Sequence, residues 1–127
     1  MILLLDIGNT SIKIATYNIK TNKIKNYASF FTYKKNIISK IAKYTNKKSI
    51  RYSLISSVVP SVFKIIKKNL SKNKIKVFEF KDNKIKKNIL IKVTKKLQVG
   101  SDRIVNSIGA LSYYKKNCII IDFGTTT

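Results

Sequence analysis

Of the five acidic residues in this 127-residue chain, three sit in short glycine- and hydroxyl-rich segments: Asp6 in LLLDIGNT, Asp102 in VGSDR and Asp122 in IIIDFGTTT. Glu79 and Asp82 are the other two. An aspartate that ends an apolar strand and precedes a glycine sets a carboxylate beside a tight turn, where backbone N–H groups can approach a phosphate. Thr and Ser hydroxyls add donors to phosphate oxygens or ligands to a cation. A carboxylate repels a phosphate directly, so Asp6 and Asp122 make chemical sense through an intervening cation, with Mg²⁺ the natural choice. One such segment alone reads as an ordinary strand-to-turn junction, because Asp, Gly, Asn and Thr are common turn formers. Two of them, each after three aliphatic residues, favour phosphate binding.

Other chemistries are excluded by composition. The chain has no histidine, which removes His-dependent triads and His-containing zinc sites, and its single cysteine, Cys118, lies in an apolar run where a small core residue is expected. Neither G-x-x-x-x-G-K-[ST] nor G-x-G-x-x-G follows any strand, so the commonest nucleotide-binding loops are missing. The net charge of +22 invites a nucleic-acid reading. Lysine, however, supplies 25 of the 27 positive charges and is spread along the chain among 22 isoleucines and 12 asparagines. Base recognition favours arginine forks and clustered patches. Most of the charge is therefore read as solvated surface, and a basic nucleic-acid-binding domain is kept as an alternative without specific recognition.

The elements that must carry these residues follow from periodicity. Strands are expected at residues 2–6, 11–17 and 24–31, with turns at Gly8-Asn9 and at Lys20, Thr21 and Asn22. Ile37, Ile38, Ile41 and Tyr44 recur at helical spacing within residues 34–47. A strand at 52–58 ends at Pro60, which opens a second helix marked by Val62, Phe63, Ile66 and Leu70. An alternating strand at 75–80 leads into a lysine-rich connector at 81–87. Ile104, Val105, Ile108 and Leu111 predict a third helical stripe starting just after Asp102, which makes that residue a helix N-cap or first-turn acid. Residues 118–121 read as a buried apolar strand. The order βββαβαβα predicts an α/β domain with a mixed sheet over residues 1–116, followed at 117–127 by the first strand and turn of a second domain. No apolar run approaches the ~20 residues of a bilayer span, and Met1 leads directly into apolar residues without a basic leader. A cytoplasmic protein that meets no membrane is expected.

The paired Asp-x-Gly strands resemble those of the actin, sugar-kinase and heat-shock-chaperone ATPase superfamily, whose ribonuclease H-like domains clasp ATP between matching turns. With SSVVPS at 56–61 and VGSDR at 99–103 lying in order between DIGNT and DFGTTT, the chain resembles the type III pantothenate kinases over the first half of a typical member. That resemblance implies ATP-dependent phosphorylation of pantothenate to 4′-phosphopantothenate, the first step toward coenzyme A. It implies an ATP-binding segment of Asp6, Ile7, Gly8, Asn9, Thr10, Ser11, Ile12 and Lys13, with a further ATP contact at Thr125. It implies a pantothenate-binding segment of Gly100, Ser101, Asp102 and Arg103, with Asp102 as proton acceptor. Asp122 corresponds to the ligand of a monovalent cation, K⁺ or NH₄⁺, and Asp6 organises Mg²⁺ through the phosphates. A homodimer is implied for the full-length form. Val93 stands where members often carry Tyr, and Lys96 where they often carry Pro. Arg103 has two readings, as a guide for a carboxylate-bearing substrate or as a partner of Asp102, and the first is favoured. Residues 56–61 are given no chemistry. With half a cleft, this chain alone is expected to lack turnover, and a non-catalytic regulator or binding module of the same fold is the nearest alternative.

Overall fold

The side-chain parity of the first strand divides the molecule into two faces. In β1 (Ile2–Ile7), Leu3, Leu5 and Ile7 are buried, while Ile2, Leu4 and Asp6 are half-buried on the opposite side. The computed structural model describes residues 1–33, 35–45, 49–82, 90, 92–93 and 99–122. Within them follow β2 (Ser11–Asn18), β3 (Lys23–Phe31), α1 (Ile37–Thr45), β4 (Tyr52–Ser57), α2 (Pro60–Lys72), β5 (Lys76–Glu79) and α3 (Ser101–Tyr114). The five strands form one sheet in the order β3-β2-β1-β4-β5. β1 pairs antiparallel with β2 and parallel with β4, and β4 pairs parallel with β5, so the sheet is mixed.

One face of the sheet is the core. Leu3, Leu5, Ile7, Ile12, Ile14 and Ile55 pack against Ile41 of α1 and against Val62, Phe63, Ile66 and Leu70 of α2. The α2 positions form one helical stripe, with Lys64, Lys67 and Lys68 exposed on the other side. Pro60 occupies the first turn, where its missing N–H is not needed. The opposite face of the sheet carries the cleft described below.

Several sequence expectations shift. β1 runs on to Ile7 because that residue pairs with both Ile12 and Ser57. β5 is shorter than 75–80, since the N–H of Ile75 is taken by the carbonyl of Leu70 at the end of α2. α1 is found at Ile37–Thr45; residues 34 and 46–48 lie outside the described residues, as do residues 83–87 of the connector. α3 starts at Ser101, one turn earlier than its apolar stripe, with Gly100 as N-cap. Of that stripe only Ile104 is buried; Val105 and Ile108 are half-buried and Leu111 is exposed. Residues 118–121 do not form the expected buried strand, Cys118 is exposed, and Ile119 is 92% exposed. A strand is completed by a ladder partner, and the described sheet offers none to this segment.

Removing a side chain from the α2 stripe leaves a cavity that the sheet cannot fill. Leu70→Ala is expected to lower stability by about 2–5 kcal/mol, while Leu111→Ala at the exposed end of α3 changes it by less than about 0.5 kcal/mol. Urea unfolding of the two variants checks the contrast.

Candidate functional site

The cleft face is built one row at a time across the central strands. Lys13 of β2 and Ser56 of β4 are the ladder neighbours of Asp6, so the three side chains stand in a row on the same face. Lys13 Nζ lies 3.9 Å from Asp6 Oδ2, with both side chains about half exposed. A pair this open contributes about 0.2–1 kcal/mol, so a phosphate or a cation can take over either partner at little cost.

Beyond Asp6 the chain turns sharply through residues 8–11. The N–H of Gly8 donates to the carbonyl of Ser11 at 2.9 Å, and a Cβ at Gly8 would stand 3.1 Å from that oxygen. Thr32, fully buried just past β3, holds the turn from below. Its hydroxyl donates to the Gly8 carbonyl at 2.7 Å and its N–H to the Thr10 carbonyl at 2.9 Å. Asn9 and Thr10 are exposed at the tip, while Ile7 and Ile12 are completely buried. Those two members of the expected ATP segment support the turn from the core.

The other wall is the first turn of α3. Ser101 is fully buried; its hydroxyl donates to the Ser57 carbonyl and accepts from the Ser57 N–H, both at 2.8 Å, and Ser56 Oγ donates to it at 3.3 Å. Asp102 follows as a first-turn acid, favoured there by the helix dipole, with Oδ1 accepting from the N–H of Arg103 at 2.9 Å. A Cβ at Gly100 would collide with Asp102 Oδ1 and approach Val58 Cγ1. Gly100 leaves room for that carboxylate in its present position, and its own backbone is in the ordinary extended region. Arg103 is exposed, and among the described residues its guanidinium makes no ion pair with Asp102. One turn on, Asn106 Nδ2 donates to Asp122 Oδ2 at 3.3 Å, which brings the exposed Asp122 to the same side of the helix.

Between these walls lies an open cleft of about 1020 Å³, and Asp6, Gly8, Asn9, Thr10, Ser11, Lys13, Asp102, Arg103 and Asp122 all line it. Leu4, Ala15 and Leu54 form its apolar floor. Three aspartates more than ninety residues apart in sequence at the extremes therefore share one site, whereas Gly100 and Ser101 lie behind its surface. Thr125 and Lys96 lie outside the described residues, and Val93 is half exposed away from the cleft lining. Among the described residues no three carboxylate or thiol groups come close enough to enclose a metal ion. Mg²⁺ is ordinarily held by one or two carboxylates, with phosphate and water supplying the rest. A lone carboxylate such as Asp6 fits an ion whose other ligands are phosphate and water.

Thr32 and Asn106 stand in no motif of the sequence, and Ser57 stands in SSVVPS, to which no chemistry was given. They act through long-range hydrogen bonds, two each at Thr32 and at the Ser57 backbone and one at Asn106, and such bonds leave no periodic signal. Hydroxyls flanking an apolar strand, as in SLISS, were the available hint for Ser57.

Comparison with known proteins adds the lineage. The family model described as type III pantothenate kinase matches residues 2–127. The type III pantothenate kinase of Pelagibacter ubique (strain HTCC1062) is 42% identical over 132 aligned positions, which take in 100% of this chain and 52% of that protein. The type III pantothenate kinase of Desulforapulum autotrophicum is 32% identical over 136 positions, again with 100% and 52% covered. The chain thus spans about half the length of these curated relatives. Among solved structures, Fowlpox virus resolvase in complex with its substrate Holliday junction DNA gives a TM-score of 0.49 at 18% identity, covering 92% of this chain and 88% of that one, too low a score to bear on fold or ligand.

The Thr32 staple can be cut without touching the cleft. Thr32→Val leaves the Gly8 carbonyl without its donor, and a loss of about 1–3 kcal/mol is expected, with faster amide exchange at Gly8; Thr32→Ser restores both. Chemical denaturation with amide exchange checks it, and unchanged values in Thr32→Val would remove the staple from the account.

Proposed function

The chain belongs to the type III pantothenate kinase family, and on that premise we propose that it forms the nucleotide- and substrate-facing half of an ATP:pantothenate phosphotransferase. The observation that carries the reading is the juxtaposition of Asp6 and its phosphate-type turn with Asp102 and Arg103 across one cleft. In this proposal the chain is an actin-like ATPase domain, and the rest of the family's length supplies a second, related domain that closes over the cleft. The full-length form is a homodimer acting in the cytoplasm.

The roles follow from where each group stands. The exposed tip of the 8–11 turn and Lys13 receive the polyphosphate, with Asp6 beside it; the +22 field of the chain draws anionic ATP toward the cleft. Mg²⁺, when bound, neutralises charge on the transferring phosphoryl group and its neighbour. Arg103, free of Asp102, is available for the carboxylate of pantothenate as a planar fork. Asp102 accepts the proton of the primary hydroxyl. Phosphoryl transfer through a loose transition state asks for a positioned acceptor more than a strong base, so a carboxylate held at the substrate hydroxyl suffices. Asp122, held by Asn106, is the monovalent-cation ligand for K⁺ or NH₄⁺.

The test is an assay of the protein expressed to its own stop codon, with ATP, Mg²⁺, K⁺ and pantothenate, coupled to ADP release. Asp102→Asn is expected to lower kcat by about 10²–10⁴-fold while ATP still binds. Undiminished turnover in that variant would sink the assignment of the base, and absence of pantothenate-dependent turnover in the unaltered protein would sink the function.

A further inference from the structure

The catalytic wall of the cleft is held in place at a gap in the sheet. β5 ends at Glu79, and the last bond between β4 and this side of the sheet runs from the N–H of Phe80 to the carbonyl of Ile55. Two residues further along β4, Ser57 presents its N–H and C=O toward the same edge. Among the described residues no strand is there to receive them. The hydroxyl of Ser101 takes both, accepting from the Ser57 N–H and donating to the Ser57 carbonyl at 2.8 Å each. A hydroxyl is the smallest side-chain group that can donate and accept at one atom, and here it substitutes for a peptide unit of a missing strand. The substitution is completely buried, where an unpaired N–H or carbonyl is costly.

The geometry points to Ser101 as a positioning residue for Asp102 and Arg103, acting through Ser57 and not through substrate. This rests on the proposed phosphotransferase function. Ser101 opens α3, so pinning its hydroxyl to β4 fixes where the next two side chains stand relative to Asp6, whose ladder pair with Ser56 adjoins the pair of Ile7 with Ser57. Ile104 is the only other buried side chain of α3, so little else in the described residues restrains this end of the helix. The glycine at 100 completes the arrangement by leaving room for the Asp102 carboxylate.

The experiment uses the protein expressed to its own stop codon and compares Ser101→Ala, Ser101→Thr, Ser101→Cys and the control Ser107→Ala, which removes an exposed hydroxyl from the same helix. Ser101→Ala is expected to lower kcat on the order of 10- to 100-fold with the KM for ATP unchanged, because the nucleotide turn lies on β1 and β2. Amide exchange at Ser57 should accelerate in the same variant. Ser101→Thr should recover both, and Ser107→Ala should alter neither. A Ser101→Ala protein that melts earlier but keeps its kcat would overturn the proposal and leave the clamp structural. If that variant does not fold, Ser101→Cys decides: a depressed kcat at unchanged ATP KM supports positioning, and an unaltered kcat refutes it. Loss of turnover in Asp102→Asn without loss in Ser101→Ala refutes the clamp alone. No turnover in any form refutes the underlying function, and unaltered Ser57 exchange in Ser101→Ala refutes the clamp whatever the activity.

Discussion

The parity of β1 is the constraint from which the site follows. This strand is paired on both sides, so its register is fixed by β2 and β4 together. Leu3, Leu5 and Ile7 fill the core beneath α1 and α2, and that burial obliges Asp6 to face the other way. A slip of one residue would expose the three aliphatics and drive a carboxylate under the helices, where nothing is present to pair with it. The ladder then extends the same decision sideways. Lys13 and Ser56 share the row of Asp6 on the cleft face, and Ile12 and Ser57 share the row of Ile7 on the other.

Two hydroxyls convert that sheet into a site. Thr32 ties the turn after β1 to the end of β3, and Ser101 ties the start of α3 to the end of β4. Each satisfies backbone groups that a strand would otherwise have paired, and each does so where strand pairing runs out. The turn after β1 and the first turn of α3 therefore face one another because both are fastened at the same end of the sheet, where β1 and β4 finish. The open Asp6–Lys13 pair between them leaves charge of both signs available to a ligand.

The parts of this arrangement that repeat were legible in the sequence, and the parts that do not repeat were not. A continuous aliphatic run marked β1, alternation marked β2 and β5, and Val62, Phe63, Ile66 and Leu70 marked α2, because burial selects apolar residues at each. The three aspartates stood out as the few acids in a lysine-rich chain, and all three do line the cleft. Periodicity misled where apolar residues are not buried by the described structure: Leu111 and residues 118–121 have core-like composition and exposed side chains. Thr32 and Asn106 were invisible, and Ser57 carried no role within SSVVPS, because a hydrogen bond between residues far apart in sequence has no local signature. Ser101 was visible only as part of a motif; that its hydroxyl is buried and paired with the Ser57 backbone was not.

The turn after Asp6 is proposed to receive the phosphates of ATP, and amide chemical shifts of the isotope-labelled chain titrated with Mg²⁺-ATP probe that contact residue by residue. The largest shifts are expected on Gly8, Asn9, Thr10 and Ser11, persisting at about 0.15 M salt and weakening in Asp6→Asn. Shifts scattered over the lysine-rich surface, abolished by the same salt and indifferent to Asp6→Asn, would contradict it and reduce nucleotide binding to bulk charge.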